Sequence, residues 1–89
     1  MTKHWFITGI SRGLGLALAQ AALARGDTVV GTVRSGAPQI EAGPGKLHVM
    51  TLDVTDSAAI DRAVDEAFQL AGGRLDVVVN NAGYGLLGA

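Results

Sequence analysis

Apolar residues fall into short runs along this chain, and the runs alternate with segments of helical period. Four runs rich in β-branched and aromatic residues predict buried strands, over residues 3–8, 28–33, 47–52 and 75–79. Two longer segments between them predict helices, over residues 13–25 and from about residue 57 to Leu70. Such alternation is typical of an α/β fold with a parallel sheet and right-handed crossovers.

The predicted helices carry recognisable ends. The first is apolar almost all round, so we expect it to be covered on most sides, and it ends at Arg25-Gly26. The second begins after Thr55 or Asp56, either of which would cap it, and ends at Gly72-Gly73.

The second strand and the connection after it depart from a regular βαβ pattern. Gly31 interrupts the strand, and we expect a helix backbone to approach closely at this position, where there is no side chain. The connection over residues 35–45 contains three glycines and both prolines. At most one helical turn fits, around Ile40 to Ala42, so we expect a degenerate, partly mobile loop in place of the usual crossover helix.

A glycine-rich turn, Thr8-Gly9-Ile10-Ser11-Arg12-Gly13-Leu14-Gly15, joins the first strand to the first helix. Glycines let a backbone turn sharply and approach a ligand closely, and the following helix directs free N–H groups and its positive dipole end at the same point. This context predicts a cradle for the diphosphate of a dinucleotide. The spacing differs from G-x-G-x-x-G, and no Gly-Lys-Ser/Thr follows, which argues against a nucleoside-triphosphate loop.

Polar residues also follow the third and fourth strands: Asp53, and then Asn80-Asn81. If the chain reverses direction across the sheet after the third strand, the strand order is 3-2-1-4, and ligands bind beyond the carboxyl ends at that reversal. Two other interpretations remain open. Asp53 could cap the second helix, and the asparagines could be turn residues.

Composition narrows the possible classes of protein. The chain has 89 residues, 48% of them apolar and 17% charged, which fits one small folded domain or part of one. A net charge of −1 gives no reason to expect nucleic acid or an anionic membrane as partner. The chain has no cysteine, and His4 and His48 are isolated, so we expect no metal site. No run is long enough for a signal peptide or membrane span, so we expect a cytoplasmic protein.

The glycine turn, Asp53-Val54 and Asn80-Asn81-Ala82-Gly83, in this order, resemble the short-chain dehydrogenase/reductase family over essentially the whole chain. The resemblance implies a Rossmann-like, doubly wound parallel sheet, truncated here to four strands. It also implies roles for individual residues. The diphosphate and adenosine ribose would be surrounded by Gly9, Ser11, Arg12, Gly13, Leu14 and Gly15. Asp53 would accept a hydrogen bond from the adenine amino group, with Val54 beside the ring, and Asn80, Ala82 and Gly83 would line the cofactor.

The residues after the second strand indicate which cofactor is preferred. Proteins that bind the 2′-hydroxyl of NAD place a carboxylate about twenty residues beyond the glycine turn. Here Arg34 occupies that region, and no acid occurs between Asp27 and Glu41. A guanidinium binds a 2′-phosphate through charged hydrogen bonds, and Arg12 could reach the same group. We therefore expect NADP(H) rather than NAD(H), the alternative being that Arg34 is a solvated charge.

The family's catalytic serine, Tyr-x-x-x-Lys pair and later asparagine are absent in recognisable form. The single tyrosine, Tyr84, has Gly88 four residues beyond it. We therefore expect residues 1–89 to be the cofactor-binding half-domain of an oxidoreductase acting on an alcohol or carbonyl, inactive alone and apparently cut after Ala89. We expect it to form a homo-oligomer or to need the missing half. The alternatives are a catalytically silent dinucleotide-binding module and a structural fragment that binds nothing.

Overall fold

The computed structural model describes residues 2–36, 38–53 and 55–81. Four strands and two helices alternate along the chain: β1 (His4–Ile7), α1 (Gly13–Ala24), β2 (Thr28–Val33), β3 (Lys46–Thr51), α2 (Ser57–Leu70) and β4 (Val77–Val79). The predicted elements are all present, with β4 two residues shorter at its start than the apolar run suggested. Val54, Ala82, Gly83 and Tyr84 lie outside the described residues.

The four strands form one parallel sheet in the order β3-β2-β1-β4. This confirms the predicted order and the predicted α/β class. The chain moves outward from β1 to β2 and β3, and then returns to pair β4 with the other side of β1. The reversal places the ends of β1 and β4 next to each other, where ligands bind in sheets of this type.

Neighbouring residues of β1 build the two layers of the core, because successive side chains of a strand point to opposite faces. On one face Ile7 packs with residues of α1 and β2, including Leu23 and Val29. On the other face Phe6 packs with Ala63 and the other buried residues of α2 and the neighbouring strands. The sheet is therefore covered by one helix on each side.

Two expectations about packing were wrong in detail, whereas the described part of the connection between β2 and β3, with no helical turn around Ile40 to Ala42, agrees with the expectation of at most one. Helix α1 is not covered on most sides, because Leu14 at its start is 62% exposed and Ala17 is exposed as well. Gly31 is approached by the side chain of Ile10, not by a helix backbone: a Cβ built on Gly31 would overlap the Ile10 side chain.

A buried carboxylate, Asp27, fixes the end of the sheet opposite the glycine turn. Asp27 is 1% exposed and accepts hydrogen bonds from the Lys3 backbone N–H and the Trp5 indole N–H, both at 3.0 Å. Its own N–H donates to the Ala22 carbonyl, and its carbonyl accepts from the Lys46 N–H. One residue thus joins the starts of β1 and β3 to the end of α1.

The hydrogen bond from the Lys3 amide is the main reason why the pKa of Asp27 lies below its ordinary value. The Trp5 indole and the charges of Arg25 and Lys3 lower this pKa further, whereas burial opposes the shift. The carboxylate therefore stabilises the fold above the unfolded-chain pKa of about 3.9, and that contribution is lost as the pH falls through the lowered value.

Replacing Asp27 with Asn should lower the free energy of unfolding by about 1–3 kcal/mol, since the amide would turn a donor toward one of two buried N–H groups. Urea unfolding monitored by the fluorescence of Trp5, the single tryptophan, measures this change. The difference from the unmodified chain should be constant from about pH 6 to 8 and shrink below about pH 4. Asp65→Asn, on the exposed side of α2, is the control, and equal stability of the two variants would contradict the role given to Asp27.

Candidate functional site

The predicted site residues lie at the carboxyl ends of all four strands. Gly9 follows β1, Arg34 follows β2, Asp53 lies two residues after β3, and Asn80 follows β4. Because all strands are parallel, these ends share one edge of the sheet. The topology therefore brings together what the sequence separates by more than 70 residues.

Two glycines of the turn adopt backbone conformations that other residues rarely take. Gly9 has φ +72° and Gly13 has φ +66°, both in the left-handed region. A Cβ built on Gly13 would meet no atom of the described residues within 4 Å, so among these residues the space in front of this glycine is open. The turn is thus shaped by its glycines, and it leaves room for a ligand beside the start of α1.

The backbone N–H and the backbone carbonyl of Gly9 are both hydrogen-bonded to residues outside the glycine turn. The Gly9 N–H donates to the Thr32 carbonyl at 3.0 Å, and it also lies 3.2 Å from the Thr32 hydroxyl oxygen. The Gly9 carbonyl accepts from the side-chain amide of Asn81 at 3.0 Å. Asn81 was part of the predicted motif but not of the predicted site. Its position beside Asn80 after an apolar strand was the available signal.

The third glycine serves this arrangement directly. Gly15 is buried, and a Cβ at this position would overlap the Gly9 carbonyl oxygen and lie 2.7 Å from the Asn81 amide nitrogen. Only a residue without a side chain lets α1 come this close to the turn. The close packing of helix against turn is therefore a structural reason for a glycine at position 15, and its place beside the diphosphate stays a prediction.

The two helices differ at their N-termini. Asp56, the N-cap of α2, accepts hydrogen bonds from the backbone N–H groups of Ala58 and Ala59. At α1, in contrast, the N-cap is Arg12, and no side chain of the described residues caps the helix or places an acid in its first turn. The first-turn amides of α1 are left without side-chain acceptors, so this end of the helix suits an anion.

The carboxylate of Asp53 is held by the residue two positions later. Its Oδ1 accepts from the Thr55 backbone N–H at 2.9 Å and from the Thr55 hydroxyl at 2.6 Å. The interpretation of Asp53 as the cap of α2 was wrong, because Asp56 has that role. The Thr55 hydroxyl and then the Thr55 amide lower the pKa of Asp53, burial opposes them, and the charge of Arg34 adds a lesser lowering. Asp53 is therefore ionised at neutral pH, and it can only accept hydrogen bonds.

The remaining predicted residues take different positions. Asn80 is exposed, and its Oδ1 lies 3.3 Å from the Thr8 hydroxyl, which donates to it. Ser11, Arg12 and Arg34 are also exposed. No group of three His, Asp or Glu residues suited to a metal ion occurs in the part of the chain that the structure describes. Within the same residues, neither helix has the length and hydropathy to span a membrane.

The parallel sheet in the order β3-β2-β1-β4 defines an α/β protein class with a Rossmann-like fold, and sequence comparison identifies the family. Residues 3–88 match the family described as short chain dehydrogenase. The chain belongs to this family, whose members are oxidoreductases.

Two curated relatives illustrate the similarity. The oxidoreductase BOA17 of Botryotinia fuckeliana (strain B05.10) is 48% identical over an alignment of 88 residues, which covers 94% of this chain and 32% of the relative. The NADPH-dependent 3-dehydrocapnine reductase of Ornithobacterium rhinotracheale is 38% identical over 90 residues, covering 97% of this chain and 32% of the relative. The chain thus spans about a third of the length of these relatives.

Solved structures agree in fold. A short-chain dehydrogenase from Streptomyces avermitilis superposes with a TM-score of 0.77 at 41% identity, over 91% of this chain and 31% of that one. An NADH-dependent reductase solved in complex with NAD gives a TM-score of 0.74 at 25% identity, over 86% of this chain and 34% of that one. The names of these relatives include both nicotinamide cofactors.

Replacing Gly15 with Ala should destabilise the protein by about 1–3 kcal/mol, because the added methyl group displaces the Gly9 carbonyl and the Asn81 amide. We expect this loss of stability even though alanine has the higher helix propensity, by about 1 kcal/mol relative to glycine. Urea unfolding measures it, with Gln20→Ala on the exposed face of α1 as the control. A Gly15→Ala protein more stable than the unmodified chain would rule out this close packing.

Proposed function

We propose that the chain is the NADP(H)-binding portion of a short-chain dehydrogenase/reductase that acts on an alcohol or carbonyl substrate. The observation that carries the proposal is the uncapped N-terminus of α1, preceded by the open space in front of Gly13. The first-turn amides would bind the diphosphate of the cofactor, and the left-handed glycines would let it approach the backbone.

Each strand end has a part in this proposal. Ser11, Arg12 and Leu14 would surround the diphosphate and adenosine ribose together with the three glycines. Asp53 is an ionised acceptor for the adenine amino group, with Val54 next to the ring. Asn80, Ala82 and Gly83 would line the cofactor toward its nicotinamide. When bound, the nicotinamide ring supplies hydride transfer.

The preference for NADP(H) rests on charge at the end of β2. Arg34 is exposed directly after the strand, with Arg12 in the glycine turn as a second cation. A carboxylate at the Arg34 position would repel a 2′-phosphate, whereas a guanidinium binds it with paired hydrogen bonds. The NADPH-dependent relative is compatible with this preference, but the NADH-dependent structure means that family membership alone does not decide it.

Two other functions are compatible with the same fold. A catalytically silent module would bind the dinucleotide without reacting, and a structural fragment would bind nothing. Titration of the chain with NADPH and NADH separates these two functions, because only a dinucleotide-binding module gives saturable binding. The amides at α1 favour binding over a purely structural role.

Arg34→Asp should weaken NADPH binding by about 10- to 150-fold, the equivalent of about 1.5–3 kcal/mol for a charged hydrogen bond. NADH binding should change little or improve, because the new carboxylate can accept from a 2′-hydroxyl. Isothermal titration with both cofactors measures the ratio of the two dissociation constants.

The matched control is Arg62→Asp, which makes the same change of charge on the exposed side of α2. It should leave the ratio of the two dissociation constants unchanged. An Arg34→Asp protein that keeps the original cofactor preference would defeat the assignment of NADP(H).

The outer edge of the sheet supports a second part of the proposal, concerning partners. Among the described residues β4 pairs only with β1, and Val78 is 60% exposed on the face that α2 covers elsewhere. An unpaired strand edge with an apolar face favours association. We infer that this edge is covered by further chain, which would include the catalytic half, or by a second copy.

The 89-residue chain alone should therefore associate into dimers or larger species. Sedimentation velocity over a range of concentrations measures the oligomeric state. Addition of NADPH should not dissociate the oligomers, because the cofactor site lies at the strand ends and not at the outer edge of the sheet. A single monomeric species at high concentration would contradict the inferred edge contact.

A further inference from the structure

The glycine turn is attached to a residue that no motif includes. Thr32, the fifth residue of β2, is 1% exposed. Its carbonyl accepts from the N–H groups of both Gly9 and Ile10 at 3.0 Å. Its hydroxyl oxygen is a second acceptor for the Gly9 N–H, at 3.2 Å. The carbonyl contacts require only a backbone, whereas the hydroxyl contact requires this side chain.

The residue before Thr32 contributes to the same attachment. Ile10 is completely buried, and its side chain occupies the space that a Cβ on Gly31 would fill. Gly31 and Thr32 therefore form a socket in which Gly31 accommodates the Ile10 side chain and Thr32 holds the backbone of Gly9 and Ile10. The turn is fixed both by packing and by hydrogen bonds at adjacent positions.

We propose that Thr32 is a positioning residue for the cofactor site, and that its hydroxyl fixes the Gly9 peptide so that the first-turn amides of α1 face the diphosphate. This inference rests on the proposed function. Gly9 has φ +72°, and a glycine adopts this region about as readily as the ordinary ones, so the contacts of its N–H and its carbonyl decide its conformation. Thr32 holds the N–H side, and Asn81 holds the carbonyl side at 3.0 Å.

The position of Thr32 also links the two halves of the predicted site. Arg34 lies two residues further along the same chain segment, directly after β2. The position of Arg34 in the chain is given by β2 itself and does not depend on the Thr32 hydroxyl. The Thr32 hydroxyl acts on the binding of the diphosphate, which NADPH and NADH share. Its loss should therefore weaken the binding of both cofactors equally, unlike a change at Arg34.

The test compares Thr32→Val, which removes the hydroxyl at similar volume, with Thr32→Ser, which keeps it. Dissociation constants for NADPH and NADH are measured by calorimetry, and amide hydrogen exchange at Gly9 by nuclear magnetic resonance. Thr32→Val should weaken both cofactors by the same factor of about two to ten, with faster exchange at Gly9. Thr32→Ser should restore the affinity and the slow exchange.

Several outcomes would overturn the role of Thr32: unchanged affinity in Thr32→Val, unequal losses for the two cofactors, or no restoration by Thr32→Ser. If Thr32→Val does not fold, two other results decide the role of Thr32. Fast exchange of the Gly9 amide in the unmodified chain overturns this role, whereas slow exchange and normal affinity in Thr32→Ser support it. An unmodified chain that binds neither cofactor defeats the proposed function itself, whereas a binding chain insensitive to Thr32→Val defeats only this inference.

Discussion

The hydrogen bonds to the Gly9 peptide are the constraint on which the site geometry depends. The Gly9 N–H is held by Thr32 of β2, and the Gly9 carbonyl is held by Asn81 after β4. This peptide lies between two strands on opposite sides of β1, so both flanks of the sheet determine its orientation. Gly15 is required by the same contact, since any side chain there would push α1 away from the Gly9 carbonyl. The free amides at the start of α1 follow from this packing.

Much of this architecture could be predicted from local patterns. The apolar runs predicted the number of strands, and a reversal of direction after the third strand predicted their order. The residues after the strands marked the edge where Gly9, Arg34, Asp53 and Asn80 lie. These predictions succeed because strand period, glycine conformation and helix capping are properties of neighbouring residues. The start of β4 was predicted two residues early. Just before that start, the Asp76 side chain accepts from the His4 N–H, a contact between distant residues that no local pattern contains.

Two of the features that sequence reasoning missed involve contacts between distant residues. Asp27 resembles an ordinary polar residue between a helix and a strand, yet it is buried and binds Lys3 and Trp5. Thr32 resembles one β-branched residue among several in a strand, yet its hydroxyl faces Gly9. The exposure of Leu14 was missed for the opposite reason: an apolar period predicts a covered helix, but not which of its sides remains without a partner.

The polar residues at the two ends of the sheet differ in what they contact. At the amino ends of the strands, the buried Asp27 and the pair of His4 and Asp76 make hydrogen bonds that join the strands. At the carboxyl ends, Asp53 keeps its ionised carboxylate exposed, and the charge of Arg34 contributes to its low pKa. That coupling is reciprocal, so an anion bound at Arg34 would reduce the support that Asp53 receives. The Thr55 hydroxyl and amide are the larger causes of the low pKa, which means that Asp53 would stay ionised, and able to accept from an adenine amino group, with a phosphate beside Arg34.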